Sequence, residues 1–343
     1  MKRLNFLIPI LIVALCSTRI NAQDLHYSQW FNSPLMTNPA NTGFIPDADY
    51  RLGANYRNQW SAIMAVPYKT FGVWGDAQLF RDRIESGWVG MGGSIMRDVA
   101  GSGNLTSTKV NANIAYHQML GVAHLLSAGF SVGWSNKRIN VADLRFPDQF
   151  DGKFFDNTLP TSVVIDNPNV SYLDFQVGLN YAFFPSENLY VNGGFSAMHL
   201  NKPRASFFST SDLGVDDRIP ARYTGFANMS YKASEMVIVN PMVYYSSQAK
   251  SSELVGGATL QYNLSGDGAM QLVGGLFYRP GDAFIPLVGL EWNNLRITFT
   301  YDATQSSLKQ FNNSRGANEF GMLYKGFYEE YTEYRRQAFC PTF

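Results

Sequence analysis

The sequence predicts an all-β fold, a transmembrane antiparallel up-and-down β-barrel of about 14 strands. Three observations carry that expectation. Apolar and polar side chains alternate in segments of about ten residues from Tyr50 almost to the end of the chain, as in a sheet with one apolar and one polar face. The connections between these segments sort by length onto two edges of the sheet. Charged residues make up 16% of the chain against roughly 25% in soluble domains, while aromatics reach 15%.

Residues 1–22 read as a cleaved secretory signal peptide, with Lys2 and Arg3, an apolar run from Leu7 to Cys16, and the small Ala22 ahead of Gln23. Leu15 stands where lipid attachment at Cys16 needs a small residue, so Cys16 is hydrophobic filler. Residues 23–47 form a leading segment whose Trp30, Phe31, Leu35 and Met36 favour packing into the barrel mouth as a plug over lying loose in the periplasm. Pro39 in Asn38-Pro39-Ala40 fixes its own φ and pushes Asn38 toward an extended conformation.

The barrel is expected over residues 48–328. Its strands fall near 48–57, 70–80, 87–96, 107–117, 124–136, 171–184, 189–199, 221–232, 236–246, 253–264, 269–278, 284–292, 295–303 and 317–328. The clearest sets Leu173, Phe175, Val177, Leu179, Tyr181 and Phe183 against Asp174, Gln176, Gly178, Asn180 and Ala182. In order, the odd connections hold about 12, 10, 34, 21, 6, 5 and 13 residues and the even ones about 6, 6, 4, 3, 4 and 2, the asymmetry of an outer-membrane barrel with short periplasmic turns. An even strand number puts both termini in the periplasm. Lipid forbids open strand edges, so the sheet must close. Trp60, Tyr181, Phe183, Tyr190, Tyr231, Tyr278, Trp292 and Tyr301 lie near strand ends, where interfacial girdles sit. Small outward residues such as Gly256 and Ala258 leave room for a partner protein. Residues 329–343 form a periplasmic C-terminal tail, in which Tyr331 and Tyr334 continue a helical spacing from Tyr328.

Loss of Lys2, Arg3 and Arg19 with the signal leaves 24 basic against 27 acidic residues, so no basic surface argues for nucleic acid. Cys340 is the one cysteine of the mature chain; it admits no internal disulfide but could pair with a periplasmic partner. Gly129-Phe130-Ser131-Val132-Gly133 matches the hydrolase G-x-S-x-G pattern, yet it sits mid-strand rather than on the strand-to-helix turn that chemistry needs. His117 and His199 read as polar lumen residues. Asp148, Asp151 and Asp156 lack the spacing of a calcium loop, although so long an excursion, 137–170, argues for a binding or lid role. No catalytic residue, cofactor or metal is expected.

Gln23-Asp24, Ser28-Gln29, Asn38-Pro39-Ala40 with Gly43, and Arg57-Asn58-Gln59-Trp60 followed by Pro67 and Thr70 resemble the PorP/SprF family of type IX secretion outer-membrane proteins. Gly90, Gly92, Asp98, Gly101, Leu126-Ser127-Ala128-Gly129 and Tyr301-Asp302 extend the likeness over most of the chain. The resemblance implies a non-enzymatic barrel in the outer membrane of a Bacteroidetes-type bacterium, supporting export or surface attachment of secreted proteins or adhesins, often in gliding motility. It implies contacts with outer-membrane lipid, with periplasmic ring subunits of the secretion machine and with a secreted client. Asn38, Pro39, Ala40, Gly43, Arg57, Gln59 and Trp60 are the partner-contact candidates, joined at the tail by Cys340 and Phe343. The alternative is an outer-membrane channel or transporter for a small or hydrophobic solute.

Overall fold

A computed structural model describes residues 27–101, 103–156, 158–208 and 217–328. The expected signal peptide and tail, with Cys340 and Phe343, lie outside these residues. Fourteen strands follow one another: β1 Tyr50–Gln59, β2 Tyr68–Leu79, β3 Gly87–Ala100, β4 Leu105–Met119, β5 His124–Arg138, β6 Asn169–Ser186, β7 Leu189–Met198, β8 Arg222–Ser234, β9 Val237–Gln248, β10 Ser251–Asn263, β11 Met270–Arg279, β12 Ala283–Trp292, β13 Leu295–Thr304 and β14 Arg315–Gly326. Each pairs antiparallel with the next, and β14 closes on β1. Closure leaves no strand edge, as hydrocarbon requires.

Several strands run further than alternation suggests, β3 most of all at the rim where β1 ends, with β4 and β6 longer at both ends. There the outward positions turn polar (Arg97, Thr106, Asn169), so the two-faced pattern fades while backbone pairing continues. The connections at that rim shorten accordingly, except that between β7 and β8. The connections 101–104, 249–250 and 280–282 are short, and the asymmetry rests on 139–168 and 199–221, with 60–67 and 305–314 behind them. We call this the long-loop rim.

The outer wall is apolar in register. Val73, Ile95, Val110, Trp134 and Leu173 form one cross-strand row over β2 to β6, all facing out. Of the expected girdle residues, Tyr190 is misplaced: its ring packs on Phe44 inside the barrel, because it shares the parity of Asn192 and Gly194. Two prolines interrupt the wall. At Pro241 and Pro286 the ladders β8–β9 and β12–β13 lapse for two residues, since proline has no N–H to donate.

The core of the molecule lies in the lumen, and the leading segment builds it. Short helical turns at Trp30–Asn32, Pro34–Thr37 and Pro39–Asn41 occupy the interior. Trp30 stacks on Tyr244 at 5.4 Å within a cluster that includes Phe226, Val273, Phe277 and Ile285. Phe44 joins Trp88, Met119, Leu125 and Phe184 in a second cluster. Each large side chain so buried contributes about 1.5–3 kcal/mol. The two ends of the wall pair at the short-turn rim, Tyr50 opposite Gly326. Tyr27, the first described residue, lies toward the other rim, because the segment runs back through the lumen antiparallel to β1.

Candidate functional site: a buried latch in the lumen

Ser28 and Gln29 are tied to the wall by ionic groups. The backbone N–H groups of Ser28 and Gln29 donate to the Glu319 carboxylate at 2.8 and 3.0 Å, and Ser28 Oγ donates to Asp302 Oδ2 at 2.8 Å. Arg57 donates to Ser28 Oγ (2.6 Å), Glu319 (3.0 Å) and Asp302 (2.8 Å). Arg279 reaches Ser28 Oγ at 2.9 Å, Asp302 at 3.3 Å and Glu253 at 2.7 Å. All these ionic side chains are at most 8% exposed. Cations and carboxylates compensate each other in a space closed to solvent, so loss of one partner leaves an uncompensated buried charge.

Below the latch, the wall's amides and hydroxyls satisfy the segment's own polar groups. Gln29 Oε1 accepts from Thr298 Oγ1 at 2.6 Å, and Ser33 Oγ donates to Asn55 at 2.9 Å. Ser196 Oγ donates to the Thr37 carbonyl at 2.8 Å. The Gly43 N–H donates to Asp76, which Arg51 also holds, and Trp88 Nε1 donates to the Gly43 carbonyl.

The partner-contact candidates divide in place. Asn38 is fully buried; its Nδ2 donates to the Leu179 carbonyl at 2.9 Å and its Oδ1 accepts from the Ala40 N–H at 2.8 Å. Pro39 and Ala40 lie against Gly129, and Gly43 against Gly90. A Cβ on Gly90 would overlap the Thr42 carbonyl, so this glycine is required by close approach. Asn38, Pro39, Ala40, Gly43 and Arg57 therefore spend their surface on the barrel's own interior and present none to a partner in this state. Gln59 and Trp60 stand at the long-loop rim, where the Trp60 ring packs at 5.2 Å from Tyr68.

Arg279, Glu253, Glu319, Arg51 and Asp76 were not anticipated as site residues. The available signal was an ionisable residue at inward parity in a membrane-spanning strand, which marks a paired group; in β10 and β11, Glu253 and Arg279 are the single charges of their strands.

The serine and histidine candidates do not form a catalytic pair. The Thr42 carbonyl can only accept, so His117 Nε2–H donates to it at 2.8 Å, and Nδ1 lies within hydrogen-bond reach of Ser127 Oγ at 2.7 Å. Both ring nitrogens are thereby engaged, and the fully buried imidazole stacks on Trp88. Ser131 sits two inward positions further along β5, opposite Asn113, and its hydroxyl meets no hydrogen-bond partner among the described residues. Ser131→Ala should therefore leave the unfolding free energy within about 0.5 kcal/mol of wild type, whereas His117→Ala, which strands the Thr42 carbonyl, should cost about 1–3 kcal/mol in denaturant unfolding.

The 139–168 excursion spends its carboxylates on its own backbone. Asp148 accepts from Ser162 N–H at 2.7 Å and from Thr161 Oγ1 at 2.9 Å, and Asp151 from the N–H groups of Lys153 and Phe154. No cluster of three metal-ligating side chains occurs among the described residues. The Ser162 N–H holds Asp148 below the usual carboxylate range, and the Phe154 N–H does the same for Asp151. A depressed pKa in the folded loop means its stabilisation is complete above the free carboxylate value near about 4 and is lost as pH falls through the lowered one. Amide exchange at Ser162 and Phe154, corrected for intrinsic rates, should show protection that is constant near neutrality and falls below that point.

No curated protein matches this sequence. Among solved structures, the chain is similar to a TodX monoaromatic hydrocarbon channel mutant (TM-score 0.53, 12% identity, covering 92% of this chain and 98% of that one). It is similar also to the Pseudomonas putida toluene transporter TodX (TM-score 0.52, 10% identity, 91% and 96%) and the Ralstonia pickettii toluene transporter TbuX (0.51, 12%, 87% and 94%). At such identities the likeness is one of fold. The family model described as type IX secretion system membrane protein PorP/SprF matches residues 20–324.

Proposed function

Because the chain belongs to the PorP/SprF family of type IX secretion system membrane proteins, we propose that it acts as a non-enzymatic, closed barrel of that machine in the outer membrane. The observation that carries this reading is the latched leading segment, which runs through the lumen beside a polar space of about 260 Å³ and makes the rims the working surfaces. The short-turn rim, where Tyr50 and Gly326 pair, faces the periplasm and meets the machine's ring subunits. The long-loop rim faces outward, and its excursions 139–168 and 199–221, with Gln59 and Trp60 beside them, hold a secreted client or adhesin. Cys340 and Phe343 belong to the periplasmic side, where the thiol is available to a partner. Surface spreading in a gliding host follows from display of the adhesin.

The rival is a channel for a small or hydrophobic solute, as the similar monoaromatic hydrocarbon channel and toluene transporters are named. The buried and latched segment from Tyr27 to Asp49, which crosses the lumen beside that space, counts against it. Gene deletion with measurement of secretion and surface display tests the proposal, together with capture from mild detergent and identification of what comes down. Loss of display and recovery of secretion-machine subunits support it. Normal display in the deletion strain, or a steady selective conductance of the wild-type barrel, overturns it.

A further inference from the structure

The wall changes chemistry abruptly near the long-loop rim. Directly above the apolar row Val73–Ile95–Val110–Trp134–Leu173, the next outward row on β3 to β6 is Arg97, Thr108, Asn136 and Ser171. The row above that carries Lys69, Thr106, Arg138 and Asn169 on β2, β4, β5 and β6. Successive outward rows lie about 7 Å apart along a strand, so these cations stand just past the edge of the hydrocarbon, at the depth of lipid headgroups. Elsewhere on the outer wall of these strands the side chains between the girdles carry no charge.

This band is a cleft. Arg97, Thr106, Thr108, Asn136 and Arg138 line a space of about 410 Å³, closed at its upper edge by Asn104 and Asn140. Neither Arg97 nor Arg138 makes a side-chain hydrogen bond or ion pair among the described residues, although both are exposed and fully able to do so. The neighbouring carboxylate, Asp143, accepts from the two asparagines at the cleft edge, Asn104 Nδ2 at 3.0 Å and Asn140 Nδ2 at 2.7 Å, and makes no ion pair with either arginine. Two arginines about 12 Å apart at their Cα atoms, on strands separated by β4, can turn their guanidinium forks toward one anion between them, with hydroxyl and amide donors beneath. An arginine facing lipid without a counter-charge is costly unless the lipid supplies one.

We propose that this cleft binds the phosphorylated headgroup of a lipid in the leaflet at the long-loop rim. Arg97 and Arg138 grip phosphate oxygens while Asn136, Thr106 and Thr108 donate to the remaining ones, and the acyl chains run down over Ile95, Val110 and Trp134. The lipid is that of the outer leaflet only if this rim faces outward, which rests on the functional reading above; the phosphate chemistry does not depend on it.

The test uses the full-length barrel in nanodiscs, probed by native mass spectrometry with bisphosphorylated lipid A, its dephosphorylated counterpart and inorganic phosphate. Wild type should retain the phosphorylated lipid, and each of Arg97→Gln and Arg138→Gln should weaken retention on the order of fivefold, the pair by about 25-fold. The Arg97→Lys/Arg138→Lys pair should recover part of the loss. Both positions are outward and unpartnered, so heat-modifiable migration in gels, which reports a folded barrel, should be unchanged. Equal retention of the dephosphorylated lipid, or an unaffected double Gln variant, overturns the proposal, as does inorganic phosphate displacing the lipid at comparable concentration. Protease access to residues 139–168 in intact cells is scored separately. Protection there with lipid binding intact overturns the outward orientation and leaves the phosphate site standing.

Discussion

Replacing Arg57 with methionine is expected to unlatch the leading segment from the barrel. The guanidinium holds Ser28 Oγ, Asp302 and Glu319 at 2.6–3.0 Å in a space closed to solvent. Methionine preserves much of the volume but leaves two carboxylates facing each other with Arg279 alone to balance them, and breaking one side of such a buried set costs about 3–5 kcal/mol. Amide exchange at Ser28 and Gln29, whose N–H groups donate to Glu319, should accelerate on the order of a hundredfold to several thousandfold, the same energy expressed as an opening equilibrium. Wall amides in β5 and β6 should keep their protection, because their ladders do not involve the segment. Conductance across planar bilayers should rise in step. Adding Asp302→Asn should return part of the loss, since it removes a charge that Arg57 no longer compensates. Unchanged exchange at Ser28 in Arg57→Met would mean that aromatic packing around Trp30, and not the ionic set, holds the segment.

Phe130→Arg should cost about 2–4 kcal/mol of folding free energy in lipid vesicles beyond what Phe130→Ala costs. Phe130 faces outward, pairs across β4 and β6 with Ile114 and Val177, and stacks with Phe175 at 6.2 Å. All four lie in the middle of the apolar wall, where a guanidinium finds neither water nor an anion. Urea titration of vesicle-inserted protein measures the difference. The natural Arg97 and Arg138 sit only a few rows higher on the same face, so the pair of experiments maps where hydrocarbon ends. A Phe130→Arg variant as stable as Phe130→Ala would mean this face is not lipid-covered.

Much of the barrel could be read from the chain because its evidence is local. Leu173 to Phe183 alternates with Asp174 to Ala182, and parity alone assigned each to the wall's outer or inner face. The strand order followed from short connections, since a two-residue link such as Asn293-Asn294 allows only an antiparallel neighbour. Where the local signal failed, the cause was also local. Tyr190 reads as a girdle aromatic by composition but has inward parity, and β3, β4 and β6 outrun their patterns because beyond the apolar band both faces become polar.

The candidate site was legible only in part. Asn38 and Arg57 stood out, but as surface for partners, and Ser28 and Gln29 only as residues of the family pattern, because a one-dimensional reading cannot tell a residue turned toward another protein from one turned toward its own lumen. The composition and period of the sequence determined a closed, lipid-facing cylinder, since each residue's face depends on its own strand. The folded structure alone decided that Glu319, Asp302 and Arg279, about 250 to 290 residues from Ser28 in the chain, converge on it. Such convergence depends on closing β14 onto β1 and threading the leading segment between walls, and a sum of distant contacts of this kind leaves no period in the sequence.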